Sequence, residues 1–192
     1  MNTSKYETRE QYLVAAARAM NAELLAKKCE HQMPEVWFVS VMEPAGKVIG
    51  RAWPASHDAH HMFVSAALSD PVQLLATLLH EMLHLAVGVK EKHNKVFGKA
   101  ARAVGLKGKL TATTASDELV PYLKALDEQL GGYPHRPLMR LSNRGGHDNR
   151  IACRSINETG YKLLIARKWV DTHGYPKDPW GDEMVPIKGD QE

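Results

Sequence analysis

Two histidines four positions apart flank a glutamate in the run His80-Glu81-Met82-Leu83-His84. Residues four apart on a helix share one face, so both imidazoles can aim a ring nitrogen at a single ion. Glu81 lies about 100° around the axis from His80. From there its carboxylate can reach a water on the ion without ligating the ion itself, which is the geometry a general base needs. The chemistry this suits is zinc-assisted hydrolysis of peptide bonds.

Two ligands do not complete a catalytic zinc site, which takes three protein ligands and keeps one position open. One metallopeptidase pattern places a histidine six residues after the second, but here that position is Lys90. Another uses a glutamate on a following helix, yet no Asp or Glu occurs between Lys92 and Ser116. Glu91 and His93 remain. His93 is favoured because imidazole suits zinc and because a chain leaving the helix at Gly88 can fold back there.

These residues need a helix to carry them. Asp70 reads as an N-cap, Pro71 as the first helical residue and Gln73 as the partner of a capping box. Gly88 is the natural stop. Leu75, Leu78, Leu79, Met82 and Ala86 would bury the side opposite the ligands. Upstream, Thr8 with Gln11 begins a helix that Leu13, Ala16, Ala17, Met20 and Leu24 carry to about Cys29. Strand-like runs follow at 35–42, 47–53 and 61–66, separated by Gly or Pro turns. Downstream, Phe97, Ala100, Ala101 and Val104 mark a helix closed by Gly105, and a further one runs from about Asp117 to Leu130. The expected class is α+β.

The chain of 192 residues fits one domain and a small appendage. Gly131 to Pro137 reads as a linker, giving a domain over 1–132 and a linker with a smaller β tail over 133–192. No long apolar run and no basic-then-apolar leader occurs, and the two cysteines, Cys29 and Cys153, are too few for a disulfide framework. A soluble cytoplasmic protein with reduced thiols, and no membrane partner, is the expectation. The net charge is only +3, but seven Lys or Arg fall within 86–110 and eight within 136–168. Such basic segments suit contact with DNA phosphates as well as plain solvation.

The run HEMLHLAVGVKEKHNKVFGKAARAVGL, together with HHMFVSAAL before it, resembles the SprT-like family of zinc metallopeptidases. The resemblance covers roughly Glu10 to Leu130. It implies a zincin-like core: an N-terminal helix, a small three-stranded sheet and an active-site helix, followed by two helices and a small β-hairpin tail. It further implies that His80, His84 and His93 hold one Zn2+, that Glu81 is the catalytic acid and base, and that the substrates are proteins, DNA-associated ones among them.

The tail departs from the family. GYKLLIARKWVDTHGYPKDPWGDEMVP is similar to the hairpin of a zinc ribbon, but Ile156, Thr159, Asp178 and Trp180 stand where its four cysteines are expected. Apolar packing of Ile156, Tyr161, Leu163, Ile165, Trp169 and Trp180 is the expected substitute for the metal. A second metal site from Cys153, His147 and His173 is conceivable. His57, His60 and His61 cluster before the active helix, as turn histidines or as an aid to the oxyanion. Trp169 beside Arg167 and Lys168 suits either base stacking or the hairpin's own core. The rival reading of the whole is a catalytically silent module, stabilised by zinc, that binds nucleic acid or protein. A three-histidine ribonuclease pattern fits less well, because the spacing to His93 is too long for it.

Overall fold

The computed structural model describes residues 4–44, 46–54, 59–139, 149–157 and 159–187. The chain divides into two compact units, Met1–Arg140 and Leu141–Glu192. Its class is α+β, and no helix among the described residues is long and apolar enough to cross a membrane.

In the first unit, helix α1 (Arg9–Met20) starts at a complete capping box. Thr8 accepts from the Gln11 N–H, and the Gln11 side chain accepts from the Thr8 N–H. It runs on through a π-helical turn, Asn21–Leu25, and a last turn, Ala26–Lys28. That wider turn keeps Leu24 and Leu25 facing inward. Strands β1 (Trp37–Met42), β2 (Gly50–Trp53) and β3 (His60–Ser65) follow, within the expected runs to within a few residues. β3 lies in the centre, parallel to β1 and antiparallel to β2, so β2 forms one edge.

Helix α2 (Pro71–Val87) carries the histidine motif through the middle of the unit. Asp70 caps it by accepting from the Gln73 N–H at 2.7 Å, and Gly88, at φ 102°, ends it. Leu74, Leu75, Leu78, Leu79, Met82 and Leu83 are all fully buried. A helix so apolar around its circumference belongs in a core, and each such side chain contributes roughly 1.5–3 kcal/mol through burial. They pack among Tyr12, Leu13 and Met20 of α1, Met62 and Val64 of β3, and the buried faces of two later helices, α3 (Lys95–Ala103) and α4 (Val120–Leu130).

The sequence pattern does not predict the hairpin between α3 and α4, formed by β4 (Leu106–Lys109) and β5 (Ala112–Ala115). Glycine and lysine occupy much of β4, and most of both strands is exposed, so no alternation of apolar residues marks them.

The second unit is more than a hairpin. β6 (Arg150–Ser155) lies between β7 (Lys162–Ala166) and β8 (Met184–Pro186), and a short helix, α5 (Arg167–His173), follows β7. Its core is Ile151, Cys153 and Met184, with Tyr161, Leu163, Ile165 and Val170 against them. The expectation that Ile156, Trp169 and Trp180 form this core is corrected: all three are more than half exposed. Trp169 lies on α5, stacked with His173 and beneath the Lys168 ammonium. A chain reversal is held by Asp178, which accepts from the Ser155 hydroxyl and from the N–H groups of Trp180 and Asp182.

Candidate metal centre

His80 and His84, one turn apart on α2, and His93, in the turn after it, bring their Nε2 atoms together. The three separations are 3.2, 3.2 and 3.3 Å. Nitrogens at about 2.05 Å from a tetrahedral ion lie about 3.3 Å apart, so the donor set fits one such ion. Among the described residues this is the one cluster of His, Cys, Asp or Glu able to hold a metal. His147 lies outside the described residues, and Cys153 is buried with a free thiol, as is Cys29.

The turn that delivers His93 is tightly shaped. Gly88 stops α2, a short 3₁₀ turn covers Val89–Glu91, and Lys92 takes φ 49°, a region non-glycine residues rarely occupy. Asn94 then caps α3 by accepting from the N–H groups of Val96 and Phe97. Glu91, the other sequence candidate, instead accepts from the Asn94 side chain. The buried Phe97 ring stacks on His84 at 4.3 Å and meets His80 and His93 edge-on at 4.9 and 5.3 Å.

The outer contacts of the triad also fix it. Thr113 of β5 lies 2.8 Å from His80 through its Oγ1 and the ring's Nδ1. With Nδ1–H donating to the hydroxyl, the Nε2 lone pair faces the centre. Burial lowers the proton affinity of all three rings. Burial first, then the neighbouring rings, takes His80 to about 3; burial first, then His93, takes His84 to about 4; burial lowers His93. Neutral imidazoles are the form that ligates metal.

Glu81 is buried beside them, and burial pushes its carboxyl up to about 8 against the opposing pull of the Ala52 N–H and Arg51. A cleft of about 520 Å³ opens over all four residues. Its lining includes Lys47 to Ala52, leading into and within β2, Val89 and Lys92 of the turn after α2, and Thr111 to Thr113.

His60 and His61 do not line this cleft, which removes them as an aid to an oxyanion there. His61 stacks between Phe38 and Phe63 on the sheet, while His60 pairs in register with Trp37. His57 lies outside the described residues. In the basic segment 86–110, Lys99 pairs with Glu30 and Lys107 with Asp117. Both acids lie outside the segment, so counting charge within it misses them. Part of the segment 136–168 lies outside the described residues.

Sequence reasoning also misses Thr113 and Gly50. Neither belongs to a motif, and only the hairpin and the strand edge bring them to the site. Comparison of the chain with protein-family models and with curated proteins finds no match.

Proposed function

We propose that this chain is a zinc-dependent metallopeptidase with a zincin-like core of the SprT-like type, acting on proteins associated with DNA. The observation that carries the reading is the convergence of three Nε2 atoms within 3.3 Å beside the buried carboxylate of Glu81, at the floor of an open cleft. His80, His84 and His93 would hold the ion. When bound, zinc supplies a Lewis acid that polarises a carbonyl and makes water acidic enough to attack near neutral pH.

The remaining work falls to the chain. Glu81 takes the proton of the attacking water at a carboxylate oxygen and returns it to the nitrogen of the leaving amine. Strand β2, at the sheet edge, offers an extended substrate a backbone to pair with. Thr113 holds the His80 ring in the ligating tautomer. The partner assignment rests on the resemblance of the 80–106 run to the SprT-like family and on the lysines of segment 86–110.

The test is incubation of the zinc-loaded protein with a DNA-binding protein, with and without single-stranded DNA, beside the Glu81→Gln variant. The expected result is cleavage by the wild type and none by the variant, with one zinc per chain in both. Cleavage that persists in Glu81→Gln sinks the assigned role. A zinc-dependent melting temperature with no cleavage of any protein would favour the silent binding module. Cleavage that ignores DNA keeps the enzyme and discards DNA as its gate.

A further inference from the structure

The cleft over the triad has an uneven lining. Beside the histidines its lining includes Lys47, Lys92, Glu81 and Arg51, the last on the strand face it shares with Trp53, His61 and Phe63. Glu81 is buried in the floor, whereas the three cations are exposed. Among the described residues none of the three forms an ion pair with a carboxylate, although lysines elsewhere do. Lys47 precedes β2 and Lys92 lies beside the His93 turn, so positive charge enters the lining from two separate segments of the chain. Glu91, adjacent to Lys92, is engaged by Asn94 and does not line the cleft. The rest of the lining mixes apolar residues, Val48, Ile49, Ala52, Val89 and Ala112, with Thr77, Thr111 and Thr113.

We infer that the cleft selects acidic polypeptide segments, extended chains that place Asp or Glu against Lys47 and Lys92 and apolar side chains against Val48 and Ile49. Charges of one sign lining a cleft focus the potential inside it and raise the local concentration of the opposite charge. A polypeptide is favoured over a nucleic acid because the apolar residues of the lining and the edge strand complement a peptide's side chains and backbone. The inference names the substrate class of the peptidase reading and rests on that reading for the location of the scissile bond.

The test uses the full chain carrying Glu81→Gln, zinc-loaded, and measures by fluorescence polarisation the binding of an extended peptide rich in Asp and Glu. The reference is the same peptide with Asn and Gln in their place. The acidic peptide is expected to bind about tenfold or more tightly at low salt, with the preference shrinking as salt rises. Lys47→Gln and Lys92→Gln, each added to that protein, are expected to cut the ratio severalfold. Equal affinity for the two peptides, or a ratio unmoved by both substitutions, overturns the inference. So does a single-stranded oligonucleotide that binds more tightly than the acidic peptide with the same dependence on Lys47 and Lys92, which would make the cleft a nucleic-acid groove. Parallel assays with the wild type keep the two readings apart. Cleavage without charge preference sinks this inference alone, and charge-selective binding without cleavage sinks the peptidase alone.

Discussion

Gly50 lies so close to Glu81 that it has no room for a side chain: a Cβ there would stand 2.4 Å from Glu81 Oε1 and 2.8 Å from Thr77 Cγ2. The glycine lines the cleft, two residues before Ala52, which lines it too. Gly50→Ala must therefore displace the carboxylate or the strand. A misplacement of about 1 Å costs on the order of 100-fold in rate. The variant is expected to keep one zinc per chain and to lose about that much kcat/KM. Full turnover by a folded Gly50→Ala protein would mean that the carboxylate does not work from this position.

Thr113 touches the metal site only through His80 Nδ1, at 2.8 Å. Loss of such an outer partner typically costs about 10–100-fold in metal affinity. Thr113→Val, which keeps the shape and removes the hydroxyl, is expected to fall in that range in a chelator competition. Thr113→Ser should bind zinc as the wild type does. Equal weakening in both variants would assign the effect to hairpin packing rather than to the hydroxyl.

Phe97 joins the core to the site, since the ring that α3 buries is the one on which all three ligand rings rest. Phe97→Ala removes a fully buried aromatic and should cost about 3–5 kcal/mol, read by urea denaturation of the zinc-free protein. Phe97→Leu fills most of the space and should cost far less, while still loosening the rings and weakening zinc. A Phe97→Leu protein with unchanged zinc affinity would show that the triad needs no support from this side.

What the sequence made legible follows from what is local. The α2 helix is written in Asp70, Pro71, a leucine-rich run and Gly88, each acting within a turn or two, and His80 and His84 come with it. His93 was within reach because the interval after α2 offers few other donors. Thr113, Gly50 and Ala52 were not, because they reach the site through strand pairing and hairpin placement, which residue spacing does not encode. The core of the second unit is legible only in part: Tyr161, Leu163 and Ile165 pack there as expected, yet Trp169 and Trp180 stay exposed while Cys153 and Met184 fill the centre. A small sheet has too little interior to hide every aromatic residue it carries.

Tyr12 gives the first unit a pH dependence at the alkaline end. Its side chain is fully buried and its hydroxyl donates to Asp127 Oδ1 at 2.6 Å. Burial first, and then that bond, raise the phenol's pKa well above its ordinary value, and burial takes Tyr133, packed against Tyr12, up to about 12. A raised folded pKa contributes stability that is whole below the unfolded value of about 10 and is lost as pH climbs above it. Each tyrosine can then remove up to about 1.4 kcal/mol per pH unit. Denaturation midpoints measured from pH 8 to 11.5 should hold steady and then fall above pH 10, less steeply in Tyr12→Phe. An identical slope in that variant would place the titration elsewhere.

Asp178 makes the corresponding argument for the second unit, from the acid side. Its buried carboxylate accepts from the Ser155 hydroxyl at 2.8 Å and from the N–H groups of Trp180 and Asp182, both at 2.9 Å. Burial alone would raise its pKa, but these bonds, with a contribution from the Gly181 N–H, outweigh it and hold the carboxyl below its usual range. The group thus anchors the chain reversal at a position where the resemblance to a zinc ribbon would place a metal ligand. A depressed folded pKa contributes stability that is present above the unfolded value of about 3.9 and is lost as pH falls below it. Amides of β6 and β8 should therefore exchange hydrogen faster below about pH 4, beyond the change in intrinsic rate. Asp178→Asn, neutral at every pH, should lose that acid step, and Asp178→Ala, which leaves all of those donors without their acceptor, should open the region already at pH 7. Protected β6 amides in Asp178→Ala at pH 7 would show that apolar packing around Cys153 and Met184 holds the sheet without the carboxylate.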